Sequence, residues 1–326
     1  MTGERSRSPV SYPRQKGMRK MPIESSLVYN KETRELAVRS DYDAIYPYWL
    51  ATDDPNNLVT VVAATRSPGY PMSFKPNGPF KAAYLGYAAT HDHMTIEMTD
   101  GRDGYNYMGN ANPVHLFTIA SPDPGYPAIL PEPITLQHRA NINVNFTNLS
   151  GAVNNPIRFM MQGMAYETAR VRTEALRNQI AGALDRQHFV RPHYMANDRA
   201  FCAVANGATG DFFYTMDDLG YFEIHKIAAV GYAGVVTATT YLTALQARGI
   251  QLIFKDPSST QLSSGLALDI PFTMINTPGG RPYILPCRFM MAPRTQLQLR
   301  VTNASGVAAV LFITLIGRKI SAPSVR

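Results

Sequence analysis

From Asn141 onward the chain alternates strictly. Ile142, Val144 and Phe146 are apolar, and Asn141, Asn143 and Asn145 between them are polar. The alternation returns at Leu297, Leu299 and Val301, set between Gln296, Gln298 and Arg300. A period of two predicts a strand with one face buried and one face wet. Each stretch runs into Thr-Asn-x-Ser-Gly, at Thr147–Gly151 and Thr302–Gly306, whose Asn and Gly suit a tight turn. A second apolar run then follows each, Pro156–Met164 and Val307–Gly317. Two such runs across a short turn predict a β-hairpin in each half.

These stretches belong to a longer repeat. Phe117–Gly151 aligns without gaps on Phe272–Gly306 at an offset of 155, with twelve identities in 35 positions; composition alone predicts about two. Both copies contain Pro-x-Ile-Leu-Pro, at Pro127–Pro131 and Pro282–Pro286. Prolines framing an apolar segment forbid a central strand and predict an edge or crossing one. Upstream, Gly86-Tyr87 and Gly231-Tyr232 pair at an offset of 145.

Further short strands are predicted at Leu58–Ala64, Met94–Met98, Val114–Ile119, Phe222–Ala229, Val235–Leu242 and Gly249–Phe254. Many short strands between Pro/Gly turns predict a mainly β chain. The expected architecture is two tandem antiparallel β-sandwich or jelly-roll domains related by internal duplication. One helical pattern stands between them, Glu167–Phe189, with Ala169, Leu176, Ile180 and Leu184 near one side. The expected organisation is an extended basic arm at 1–22, a first sandwich at 23–165, a helical linker at 166–195, a second sandwich at 196–316 and a basic tail at 317–326.

The 326 residues are 45% hydrophobic and 17% charged. The first figure supports packed cores, and the second falls below the ~25% of an ordinary soluble domain, as expected of a surface partly covered by neighbours. The net charge of +7 is carried by the ends. Arg5, Arg7, Arg14, Lys16, Arg19 and Lys20 against Glu4 give the first 22 residues +5, and Arg318, Lys319 and Arg326 give the last ten +3. The body between them is near neutral, which excludes a nucleic-acid-binding domain with a basic face. The opening residues hold no apolar stretch of the kind a secretory signal needs. No apolar run is long enough to span a bilayer. With only two cysteines, Cys202 and Cys287, the chain is expected in a reducing compartment.

Candidate chemistry is sparse. His91 and His93, two apart with Glu97 nearby, are weak candidates for metal ligands, because residues two apart on a strand share a face. No nucleophile elbow, phosphate loop or CxxC motif is present, so no catalytic residues and no cofactor are expected. Asp53/Asp54 and Asp217/Asp218 are read as turn residues. The loops Ser67–Phe80 and Ala120–Pro133 are rich in Pro, Gly and aromatic residues, a stiff composition suited to contact.

The tandem unit of Pro-x-Ile-Leu-Pro, alternating strand, Thr-Asn-x-Ser-Gly turn and closing apolar strand resembles the small β-sandwich modules of tailed-bacteriophage particles. The resemblance implies a non-enzymatic virion structural protein: a collar, connector, vertex or capsid-decoration component, made in the host cytoplasm and present in symmetric copies. It implies as partners the chain itself and other virion proteins, such as major capsid or portal/connector proteins, with no membrane. Nucleic acid would be met only through the basic arms. Expected interface residues are the six arm cations Arg5, Arg7, Arg14, Lys16, Arg19 and Lys20, together with Tyr70, Phe74, Phe80 and Tyr126. The alternative is a receptor- or carbohydrate-binding module of a phage tail or spike, with those four aromatics as its platform.

Overall fold

The computed structural model describes residues 27–30, 35–38, 44–52, 59–74, 79–109, 112–123, 126–137, 140–167, 189–217, 220–255, 268–276 and 282–321. The arm at 1–22, with its six cations, and most of the expected linker helix lie outside the described residues.

A small hairpin, β1 (Leu27–Asn30) and β2 (Glu35–Val38), precedes the body. The first half then runs β3 (Ala44–Ala51), β4 (Val59–Val61), β5 (Tyr70–Ser73), β6 (Phe80–Ala89), β7 (Met94–Asp100), β8 (Val114–His115), the short helix α1 (Leu116–Ile119), β9 (Ala128–Leu136), β10 (Asn141–Asn148) and β11 (Asn155–Glu167). The second half runs β12 (Val190–Met195), β13 (Cys202–Val204), β14 (Thr209–Thr215), β15 (Tyr221–Ala233), α2 (Ala244–Arg248), β16 (Ile250–Lys255), β17 (Leu268–Pro271), α3 (Phe272–Ile275), β18 (Tyr283–Met291), β19 (Gln296–Asn303) and β20 (Ala309–Ile320).

The two halves have one topology. In the first, the sheets are ordered β5-β10-β7-β8 and β3-β11-β6-β9; in the second, β14-β19-β16-β17 and β12-β20-β15-β18. Each is an eight-stranded jelly roll, and in each an extra short strand, β4 or β13, pairs with the last long one. The sequence repeat falls on matching strands in matching register. β9 and β18, like β10 and β19, begin and end 155 residues apart. Gly86 and Gly231 do not match in this sense. Counted from the bulges in β6 and β15, the counterpart of Gly86 is Ala228.

The predicted hairpins are corrected. β10 pairs with β5 and β7, whereas β11 lies in the opposite sheet. Thr-Asn-x-Ser-Gly is therefore a corner between sheets, and its asparagine is the clamp. Asn148 Nδ2 donates to the carbonyls of Val61 (3.1 Å) and Val153 (2.8 Å), while its Oδ1 accepts from Ser150 N (3.0 Å). Asn303 does the same to Val204 (2.9 Å), Val307 (2.9 Å) and Ser305 N (3.0 Å). Both side chains are buried, and each reaches β4 or β13, carrying the chain across the core.

A second shared device sits at the bulges. Gly163 in β11 and Gly317 in β20 lie opposite the irregularities of β6 and β15. A Cβ there would fall 2.0 Å from the Lys81 carbonyl oxygen and 1.9 Å from that of Glu223, so only glycine lets the backbones approach.

Four further expectations change. Glu167 closes β11 and Val190–Met195 is β12, so any helix is confined between them. Pro192 is tolerated because β12 is an edge strand. The expected basic tail begins as the end of β20, and its residues 322–326 lie outside the described residues. Arg318 is paired with Glu223 and Glu132, and Lys319 with Asp217. Val114–Ile119 is strand only at its first two residues before α1, and Val235–Leu242 is a loop joined to β15 by a bridge at Tyr241.

Candidate functional site

The run Val307–Gly317 is apolar but for Thr314 because β20 is buried on both faces. Leu311, Ile313 and Leu315 point into the core of the second roll. Val310, Phe312 and Ile316 join a core made mostly of first-roll residues. Ala228, Val230 and Tyr232 of β15 and Tyr194 of β12 share that outer face. What covers it is the α1 end of the first roll, where Leu116, Phe117, Thr118 and Ile119 are all buried. Thr314, the only polar residue in the run between Val307 and Ile316, meets Thr118 Oγ1 at 2.7 Å across this seam.

Histidines gather at the seam. His93 Nε2 donates to the Val236 carbonyl oxygen at 2.5 Å, and its ring packs on Tyr232 with centroids 4.2 Å apart. His115 Nε2 lies 3.1 Å from the Tyr232 hydroxyl. His193 of β12 places Nδ1 3.2 Å from the Tyr105 hydroxyl of the first roll. All three are buried, and burial lowers the pKa of each. Beside them Arg191 makes a bidentate pair with Asp103 and lies 4.4 Å over the Tyr105 ring. That guanidinium holds the Asp103 carboxyl at about 2. Burial alone would lift the Glu223 carboxyl, but Arg318, Arg288 and His225 outweigh it and hold the group at about 2.

The two weak metal candidates, His91 and His93, are engaged by different partners. His91 Nδ1 faces Asn155 Nδ2 at 3.5 Å, whereas His93 reaches Val236, and Glu97 pairs with Arg66 at 2.5 Å. Asp92 accepts from the Tyr87 and Tyr241 hydroxyls at 2.6 and 2.9 Å. Among the described residues no three ligand-type side chains converge.

The aromatic platform is also corrected. Phe74 and Phe80 are fully buried and stack on each other with centroids 5.3 Å apart, because the alternation of β5 turns Met72 and Phe74 inward. Tyr70 is half-buried against the same core, and only Tyr126, 63% exposed, stands out from the body. A cavity of about 360 Å³ opens beside β18 between Ile224, Ile227, Phe254, Leu285, Leu297 and Leu315. Of the two free thiols, Cys287 is at its mouth and exposed, and Cys202 is buried.

Matched surfaces of the two rolls differ in cover. The outer face of β12-β20-β15 is buried, but its counterpart on β3-β11-β6 carries Trp49, Tyr84 and Met164 exposed to solvent, with Trp49 at 58%. Conversely, α1 is buried in the seam, whereas Met274 in α3 is 52% exposed. Leu130 and Ile134 of β9 are buried, and their counterparts Leu285 and Phe289 of β18 are only partly so. Sequence reasoning missed this pair of surfaces; its one trace was the low charge content.

No family model and no curated protein matches the chain. Among solved structures it is similar to the STIV MCP, at 13% identity over 85% of this chain and 97% of that one, with a TM-score of 0.40. It is also similar to the major capsid protein P2 from bacteriophage PM2, at 9% identity over 86% of this chain and 99% of that one, with a TM-score of 0.36. Viral major capsid proteins thus stand among its structural neighbours. The jelly-roll description rests on the strand order itself.

Proposed function

We propose that the chain is a non-enzymatic structural protein of a virion that assembles with copies of itself, head to tail. Each copy sets the β17–α3–β18 end of its second roll on the outer face of β3-β11-β6 in the next. The observation that carries this is the unequal cover of equivalent surfaces. One end-on-face contact is made inside the chain, and among the described residues the matching end and face are left over. A contact between unlike surfaces is heterologous, and its repetition gives a ring where the rotation closes and an open filament where it does not. The leftover face carries Arg158, Gln162 and Met160 where the inner one carries Phe312, Ile316 and Thr314, the wetter composition of an interface whose partners also exist apart. The narrower position, a collar, connector, vertex or decoration protein of a tailed phage, has the repeat motifs as its support.

Trp49→Glu and Met274→Asp each place a charge at one side of the contact without touching either core. Sedimentation of the full chain is expected to show an oligomer that each variant reduces to folded single copies. Oligomers untouched by both variants would refute the proposed contact, and an unsubstituted chain that stays single at high concentration would refute self-assembly.

A further inference from the structure

We infer that the seam between the two rolls is an acid-operated hinge, in which proton uptake by His93, His115 and His193 loosens one roll from the other. The argument is one of valence. A neutral imidazole offers one donor and one acceptor, whereas an imidazolium offers two donors and needs two acceptors. Each of these rings has one nitrogen engaged across the seam, with Val236, Tyr232 or Tyr105. The other nitrogen of each, His93 Nδ1, His115 Nδ1 and His193 Nε2, is buried with no hydrogen-bond partner among the described residues. At His193 the space is closed as well, since a Cβ on Gly109 would already lie 2.9 Å from Nε2. A proton on any of the three creates a buried charge with an unsatisfied N–H, and opening the seam to water relieves both.

The surrounding charges do not rescue the cations. His93 and His115 face each other with ring centroids 5.9 Å apart, and His91 adds repulsion when it is charged. Asp92, the nearest acid in sequence, has both oxygens taken by Tyr87 and Tyr241. Lys319 repels a charged His193, while Asp217, which attracts it, is bound to that same lysine. Arg191 adds a further positive group, paired to Asp103 and 3.9 Å from Asp100.

The sign follows. Burial holds the three below the ordinary value of 6.5, with His193 at about 3, and opening returns them to it. The seam therefore has its full stability above about pH 6.5 and loses it as the pH falls below that. Between pH 7 and 5 His193 alone raises the opening constant about 25-fold, and His93 and His115 act in the same direction.

The test is amide hydrogen exchange on the full chain, corrected for the intrinsic pH dependence of exchange. Single copies carry the seam, so the outcome is independent of assembly. Protection of the Tyr194 amide, which bonds Tyr107 O at 2.9 Å across the seam, is expected to fall at least tenfold from pH 7 to 5, while amides in β10 and β19 keep theirs. His93→Gln, His115→Phe and His193→Gln combined should flatten the pH dependence. Exchange at the imidazole C2 position of the unsubstituted chain should report His193 uncharged at pH 5.5 and His93 and His115 titrating below the ordinary value, a reading that stands even where the triple variant fails to fold. Seam protection constant between pH 7 and 5, or histidines titrating near 6.5 in the closed state, would overturn the inference.

Discussion

Replacing Asn303 by alanine removes two donated hydrogen bonds and one accepted bond, all between 2.9 and 3.0 Å. Each bond is worth about 1 kcal/mol net, and a carbonyl stranded in a buried corner costs a further ~1–3 kcal/mol. Water can reach part of the Val307 turn, so one stranded carbonyl is the reasonable count, and the loss comes to about 4–6 kcal/mol. Asn148→Ala deletes the same set of partners in the first roll, at 2.8–3.1 Å, and should cost about the same. Urea unfolding followed by far-UV circular dichroism measures both, with slopes unchanged. Asparagine to aspartate keeps acceptance from the serine amide but turns a carboxylate towards two carbonyls. Its folded pKa is therefore raised, and its penalty should grow as pH rises through the carboxylate range. A cost under about 1 kcal/mol at either site would refute the reading of Thr-Asn-x-Ser-Gly as a clamped corner.

Gly317→Ala and Gly163→Ala each drive a methyl into a backbone carbonyl and should cost more than about 3 kcal/mol, read by the same unfolding curves. Thr314→Val exchanges one seam hydrogen bond for a methyl of similar size and should change stability by only about 1 kcal/mol. Alkylation of the folded chain should modify Cys287 and spare Cys202, whose thiol is buried and pushed up in pKa. In the assembled state Cys287, on the strand proposed to meet the next copy, should be protected as well.

Local chemistry made part of this legible. The strict alternation of β10 and β19 and the prolines of β9 and β18 exposed the repeat, because period and breaker residues act within a few positions. The jelly-roll crossing at Asn148 and Asn303 looked like a hairpin because the carbonyls they hold belong to Val61 and Val204, far away in sequence. Arg318 and Lys319 looked like a tail for the same reason, their acids Glu223 and Asp217 lying about a hundred residues upstream. Phe74 and Phe80 sit in a Pro/Gly-rich stretch that suggested a surface loop, yet β5 is an edge strand where Pro71 is admissible and the alternation still points inward. The seam histidines come from three separate segments, and only the packing of one roll on the other brings them together.

A mixing experiment bears most directly on the assembly claim. Trp49→Glu spoils the receiving face and leaves the α3 end intact, and Met274→Asp does the reverse. Single copies of the two variants, combined in equal amounts, retain one good end and one good face between them. Sedimentation should then show a species of two chains, one of each variant, that neither forms alone. A mixture that stays at one chain, or a variant that pairs with itself, would contradict a head-to-tail contact built from these surfaces.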